Sequence, residues 1–151
     1  MPEPLFAAGS KLLIYTDGGA RGNPGPAAIG YVVGSKRYGE RIGHTTNNVA
    51  EYRAVIAALQ KAKQLLGKSK ARQTELDVRM DSELVCKQMN GQYKILEPEL
   101  QKLFVELWNL KPDFKSVLFT HVRREQNKDA DAMVNQALDG EPTAETTSRM
   151  L

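Results

Sequence analysis

The chain has 151 residues, 41% of them hydrophobic and 26% charged, with a net charge of +3. That is one domain's length and ordinary globular usage, which excludes wholesale disorder, and no run nears the ~20 apolar residues of a membrane helix. The single cysteine, Cys86, excludes an internal disulfide and fits a reducing, cytoplasmic setting, while the mild positive charge leans only weakly towards polyanionic partners.

Residues 1–9 carry an acid and prolines where a signal peptide needs basic residues and a long apolar run, so they are expected to form a loose leader. Residues 10–138 read as one domain and 139–151 as a polar tail. "KLLIYT" (11–16) and "AAIGYVV" (27–33) read as strands joined by a Gly/Pro-rich bend, with Asp17 at the end of the first. "KRYGERIGHT" (36–45) follows a Gly34-Ser35 turn as a third strand, giving an antiparallel meander. The period then changes. Residues 47–66 place Val55, Ile56, Leu59, Ala62 and Leu66 at helical spacing, and Gly67 is a natural stop. A strand is predicted at 75–80, a short helix at 82–91, an amphipathic helix at 97–110, a strand at 116–122 and a helix at 128–138. The order β-β-β-α-β-α-α-β-α implies an α/β fold with a mixed sheet, its later strands parallel and covered by helices.

Four acids fall at element ends. Asp17 ends the first strand, Glu51 lies in the first turn of the long helix, Asp81 ends the fourth strand, and Asp131 lies in the first turn of the last helix. Each has a plain structural reading. Asp17 could start an Asx-turn, Asn48 and Glu51 could form a capping box, Asp81 could cap a helix, and Asp131 could favour a helix dipole. Glu51 sits oddly, on the face that Val55, Ala58 and Ala62 should pack on the sheet. Four carboxylates near one sheet edge repel one another, and cations are the natural relief; oxygen donors suit Mg²⁺ or Mn²⁺.

"YTDGGARGNPGPAAIGYV", "TTNNVAEYRAVIAAL", "RMDSELV" and "HVRREQNKDADAMVNQAL", in this order, resemble the four signature blocks of type 1 ribonuclease H. The resemblance implies a ribonuclease H-like five-stranded sheet of order 3-2-1-4-5 flanked by helices. It also implies a metal-dependent endonuclease that cuts the RNA strand of RNA/DNA hybrids. Asp17, Glu51, Asp81 and Asp131 would be its catalytic, metal-binding carboxylates, holding two Mg²⁺ (Mn²⁺ as an alternative) roughly 4 Å apart. On the family pattern Asp17 bridges both ions, Asp81 and Asp131 serve the nucleophile side and Glu51 the leaving-group side. The products carry 5′-phosphate and 3′-hydroxyl ends. Two further catalytic candidates follow: His121 aligns with a histidine that aids product release but could simply finish its strand, and Arg124 could meet a phosphate or be a surface base.

Cutting only RNA requires sensing 2′-hydroxyls. Gly18 and Gly19 let backbone approach the duplex, and Asn23, Asn47 and Asn48 offer amides that both donate and accept. The resemblance assigns the asparagines to the minor groove, along with Glu83, where an amide is common in the family. It assigns Thr46 to a DNA phosphate, and Tyr93 could stack on a sugar or pack in the core; "TTNN" also reads as a helix cap. The span 92–115 is too short for the separate basic helix of some relatives. A compact form is expected, its affinity leaning on the bases in 53–72, or that stretch is only a solvated helix face. The expected partner is an RNA/DNA hybrid, with no membrane and a monomeric state. A non-catalytic binding module and a nuclease for other duplexes are the rivals. The glycine bend is no phosphate-binding P-loop, since it lacks the Lys-Ser/Thr ending and leads into a strand.

Overall fold

The computed structural model describes residues 10–140; the expected leader, and the expected tail beyond Gly140, lie outside them. The strands are β1 (Lys11–Ala20), β2 (Gly25–Val33), β3 (Lys36–Thr45), β4 (Glu75–Met80) and β5 (Ser116–His121). The helices are α1 (Asn47–Leu66), α2 (Lys68–Ala71), α3 (Glu83–Met89), α4 (Pro98–Leu110) and α5 (Lys128–Leu138). One sheet has the order β3-β2-β1-β4-β5, with β1–β2 and β2–β3 antiparallel and β1–β4 and β4–β5 parallel. The strand order therefore follows the sequence-based expectation. The short α2 and the 3₁₀ turns Lys111–Asp113 and Arg124–Gln126 were not foreseen.

Three local expectations change, and all bear on the acids. β1 does not stop at Asp17: parallel pairing with β4 ends at Thr16↔Met80, but pairing with β2 continues through Asp17↔Gly30 to Ala20↔Ala27. Asp17 thus lies within a strand, at the point where its β4 neighbour falls away. Nor is Asn48 a cap. The N-cap of α1 is Thr46, whose hydroxyl accepts from the Val49 N–H at 3.3 Å. Glu51 therefore lies beyond the first turn and forms no capping box. Ser82, not Asp81, caps α3, with its hydroxyl accepting from the Val85 N–H at 3.2 Å.

The sheet is covered on both faces. Ile14, Val78 and Met80 from the strands pack with Val55 and Leu59 of α1 and Leu100 and Leu107 of α4, all essentially inaccessible to solvent. Burying one such aliphatic contributes roughly 2 kcal/mol, so α1 is held by its stripe rather than by helix propensity. Tyr52 anchors it further, its hydroxyl donating to Gln88 Oε1 at 2.7 Å. α5 covers the opposite face over β1, β2 and β3. Glycines fix both approaches. A Cβ on Gly18 would strike the Ala50 backbone of α1, and one on Gly30 would lie 2.9 Å from Met133 Cβ and from Val134 N of α5. Strand alternation then puts Gly18 on the α1 face and Asp17, opposite Gly30, on the α5 face.

Candidate active site

The close approach that Gly18 permits brings the second turn of α1 over β1. The Gly18 N–H lies close enough to the carboxyls of Asp17 and Glu51 to favour their ionised forms. Asp81 arrives from the end of β4, one residue past the last parallel pair with β1. One oxygen each from Asp17, Glu51 and Asp81 lies within 4.8 Å of the others. Asp131, from the first turn of α5, stands near enough for its charge to act on Asp17. All four predicted carboxylates line one open cleft of about 450 Å³, although only three form the tight group.

Their electrostatics are unfavourable as they stand. Burial, then the charges of Asp81 and Asp131, push the Asp17 carboxyl up to about 8. Burial foremost, then Asp17 and Asp81, raises Glu51 well above the usual range, opposed by the Gly18 N–H and the Arg124 charge. Among the described residues no lysine or arginine forms an ion pair with any of the four. The arrangement crowds carboxyls together and disfavours their ionised forms, with no base in contact to offset it fully.

The remaining candidates divide. Arg124 lines the cleft, as do Gly18, Gly19 and Asn47. His121 does not: it is exposed at the end of β5, paired in register with Met80, and its charge acts on Glu83. Glu83 is itself exposed and bound to Lys87 at 2.8 Å. Tyr93 is 46% exposed, which removes the core-packing alternative, and Lys87 Nζ stands 5.0 Å over its ring. Thr46 is occupied as a helix cap, and Asn48 is half-buried outside the cleft lining. Two of the asparagine oxygens already hold backbone N–H groups. Asn47 Oδ1 takes the Ala20 N–H at 2.8 Å, and Asn23 Oδ1 takes the Asn47 N–H at 3.0 Å. Each is left with donors, and together they lace the β1–β2 turn to the start of α1.

The bases of 53–72 run away from the acids. At 1.5 Å per residue, the end of α1 at Leu66 stands about 22 Å along the helix from Glu51, and Lys68 follows it at the sheet end where β1 and β4 begin. Lys63 is paired with Asp113 at 3.1 Å, and Lys61 lies over the Tyr38 ring.

Sequence reasoning missed two residues that hold the acids. Asn135 Nδ2 donates to Asp131 Oδ2 at 3.4 Å, a partner that the i, i+4 spacing on α5 would have offered. Asn127 Nδ2 donates to Asp81 Oδ2 at 3.3 Å across 46 residues of sequence, and no local pattern signals that.

Comparison with known proteins gives a consistent result. A family model described as reverse transcriptase-like matches residues 16–137. A bifunctional protein of Mycobacterium tuberculosis is 42% identical over 136 residues, 85% of this chain and 36% of that protein. The chain thus spans about a third of the length of the first curated relatives it matches. Among solved structures, an LC11 ribonuclease H1 in complex with RNA/DNA hybrid superposes with a TM-score of 0.81 at 45% identity, covering 85% of this chain and 97% of that one. Ribonuclease H1 from the archaeon Halobacterium salinarum gives 0.78 at 40% identity, covering 87% and 99%.

Proposed function

The chain belongs to the type 1 ribonuclease H family, in its compact form without a basic protrusion, and from that premise we propose that it is a metal-dependent endonuclease hydrolysing the RNA strand of RNA/DNA hybrids. One observation carries the reading: the close group of Asp17, Glu51 and Asp81, with Asp17 buried, no base in an ion pair with any of them among the described residues, and Asp131 in the same cleft. Such a group stores repulsion that a divalent cation relieves.

The donor set fits Mg²⁺ or Mn²⁺. Its side-chain donors are all hard oxygens, and the cleft is open enough to leave positions for water and phosphate. Asp17, Glu51 and Asp81 would hold two ions, with Asp131 completing the set. Bound there, they would supply a water of lowered pKa and neutralise charge on the departing 3′ oxygen, so that products carry 5′-phosphate and 3′-hydroxyl ends.

The chain's own contribution is position and charge. The close contact of β1 with α1 at Gly18 keeps the spacing of Asp17 and Glu51. Arg124 offers a guanidinium that favours ionised Glu51 and suits a substrate phosphate. Asn47, its Oδ1 held by the Ala20 N–H, would reach acceptor atoms such as the ribose 2′ oxygen through its Nδ2 donors, and exposed Tyr93 would stack against the DNA strand. The protein would act as a monomer in the cytoplasm. Among the described residues no helix is long and apolar enough to cross a membrane.

The test is cleavage of a labelled RNA/DNA hybrid beside matching double-stranded RNA and double-stranded DNA, with Mg²⁺, Mn²⁺ or EDTA, for wild type and Asp17→Asn. The expected result is metal-dependent cutting of hybrid RNA that Asp17→Asn abolishes. RNA cleavage that survives this change would refute the assignment of the acids, and binding without cutting under every metal would leave a recognition module.

A further inference from the structure

Asn127 is the N-cap residue of α5, where an asparagine ordinarily accepts from the helix's free N–H groups. It makes no such side-chain bond. The residue is 1% exposed and its amide is committed inward. Nδ2 donates to the Thr16 carbonyl at 2.9 Å and to Asp81 Oδ2 at 3.3 Å. Its Oδ1 is buried with no partner. A forgone cap and a bare buried oxygen both cost stability, so the inward orientation needs another benefit. The backbone of the same residue shows where to look. The Asn127 carbonyl accepts from the Asp131 N–H at 3.1 Å, and Thr16 directly precedes Asp17 on β1. A single buried residue therefore touches the strand at Asp17, the carboxylate of Asp81 and the first helical bond of Asp131.

We propose that Asn127 is a positioning residue for the cluster: by pinning Asp81 through Oδ2 and β1 through Thr16, it fixes three acids in a spacing that suits divalent cations. This rests on reading the cluster as a cation centre. The chemistry demands an uncharged side chain with two N–H donors at this depth. An aspartate would cap equally well but repel Asp81, and a serine would cap but offer one donor on a shorter stem.

The experiment uses the whole chain. Mn²⁺ binding is measured by calorimetry without substrate for wild type and Asn127→Ser, beside the hybrid KM. Expected is a loss of Mn²⁺ affinity of about 10-fold or more, the usual consequence of removing a partner behind a metal ligand. Mg²⁺ half-saturation for cleavage should rise in parallel while KM for the hybrid stays within about twofold, because the duplex contacts are untouched. A purely structural role would lower the melting temperature without this split. Should Asn127→Ser not fold, NMR of the wild type decides: the Asn127 side-chain NH₂ signals should shift along a Mg²⁺ titration with the same midpoint as the Gly18 amide. Unchanged Mn²⁺ affinity in Asn127→Ser, or NH₂ signals that stay still while Gly18 moves, would overturn the inference. A wild-type chain that bound no Mn²⁺ at all would remove the cation reading beneath it.

Discussion

Replacing Asp17 with asparagine should make the metal-free protein more stable, and increasingly so as pH rises. The Asp17 carboxyl stands at about 8 in the fold against an ordinary value of 3.8. Across that window the folded chain keeps a proton that the unfolded chain has released. The unfolded state then binds fewer protons, so stability falls as pH climbs from about 4 to about 8. Each unit corresponds to about 1.4 kcal/mol, which sets a ceiling of about 4 kcal/mol at neutral pH. Water entry and side-chain relaxation lower the expected gain to about 1–3 kcal/mol. Asparagine keeps the shape and removes the charge, and it also relieves Glu51, whose second-largest perturbation comes from Asp17. Urea unfolding in EDTA at several pH values across the window, for both proteins, measures this directly. The variant's advantage should be small at the acid end and largest at the alkaline end, and Mg²⁺ should stabilise wild type far more than the variant. An advantage that is absent, or constant with pH, would refute the claim that repulsion is stored in this cluster.

Gly18→Ala should cost about 3 kcal/mol by overpacking β1 against the Ala50 backbone, and should weaken Mn²⁺ binding because Glu51 must move; thermal unfolding and calorimetry read the two effects. Thr46→Ala should lose about 1 kcal/mol of stability in urea titrations through the lost α1 cap. His121→Ala should leave kcat within about twofold, well short of the ~10²-fold loss that follows removal of a general acid or base, since the imidazole lies outside the cleft; steady-state cleavage of a hybrid substrate reads it.

Much of the architecture was written in local pattern. The helices at 47–66 and 128–138 and the strand at 75–80 have the bounds their periodicity indicated, because each buries a stripe or alternates, and the first helix also ends on a residue that breaks it. Gly67, at φ 82°, is such a stop. The four acids were also legible, as charged residues at the edges of apolar elements and within blocks of a known family. Their convergence was not. Whether Glu51 reaches Asp17 depends on how closely α1 lies on β1, which the contact between Gly18 and Ala50 decides across some thirty residues of sequence.

The tertiary structure also decided which polar groups were already in use. Asn23 and Asn47 looked like free readers of a duplex, but their oxygens hold one turn against one helix. Asn127, at the N-cap position of α5, reaches inward to Asp81. The basic stretch 53–72 was expected to lend affinity or to be a solvated helix face, and the helix carries its later residues to the far end of the sheet. The physical reason is common to all three. Periodicity and capping act within a few residues and leave their mark in local sequence, whereas the partner of a buried hydrogen bond or carboxylate is chosen by packing between distant segments.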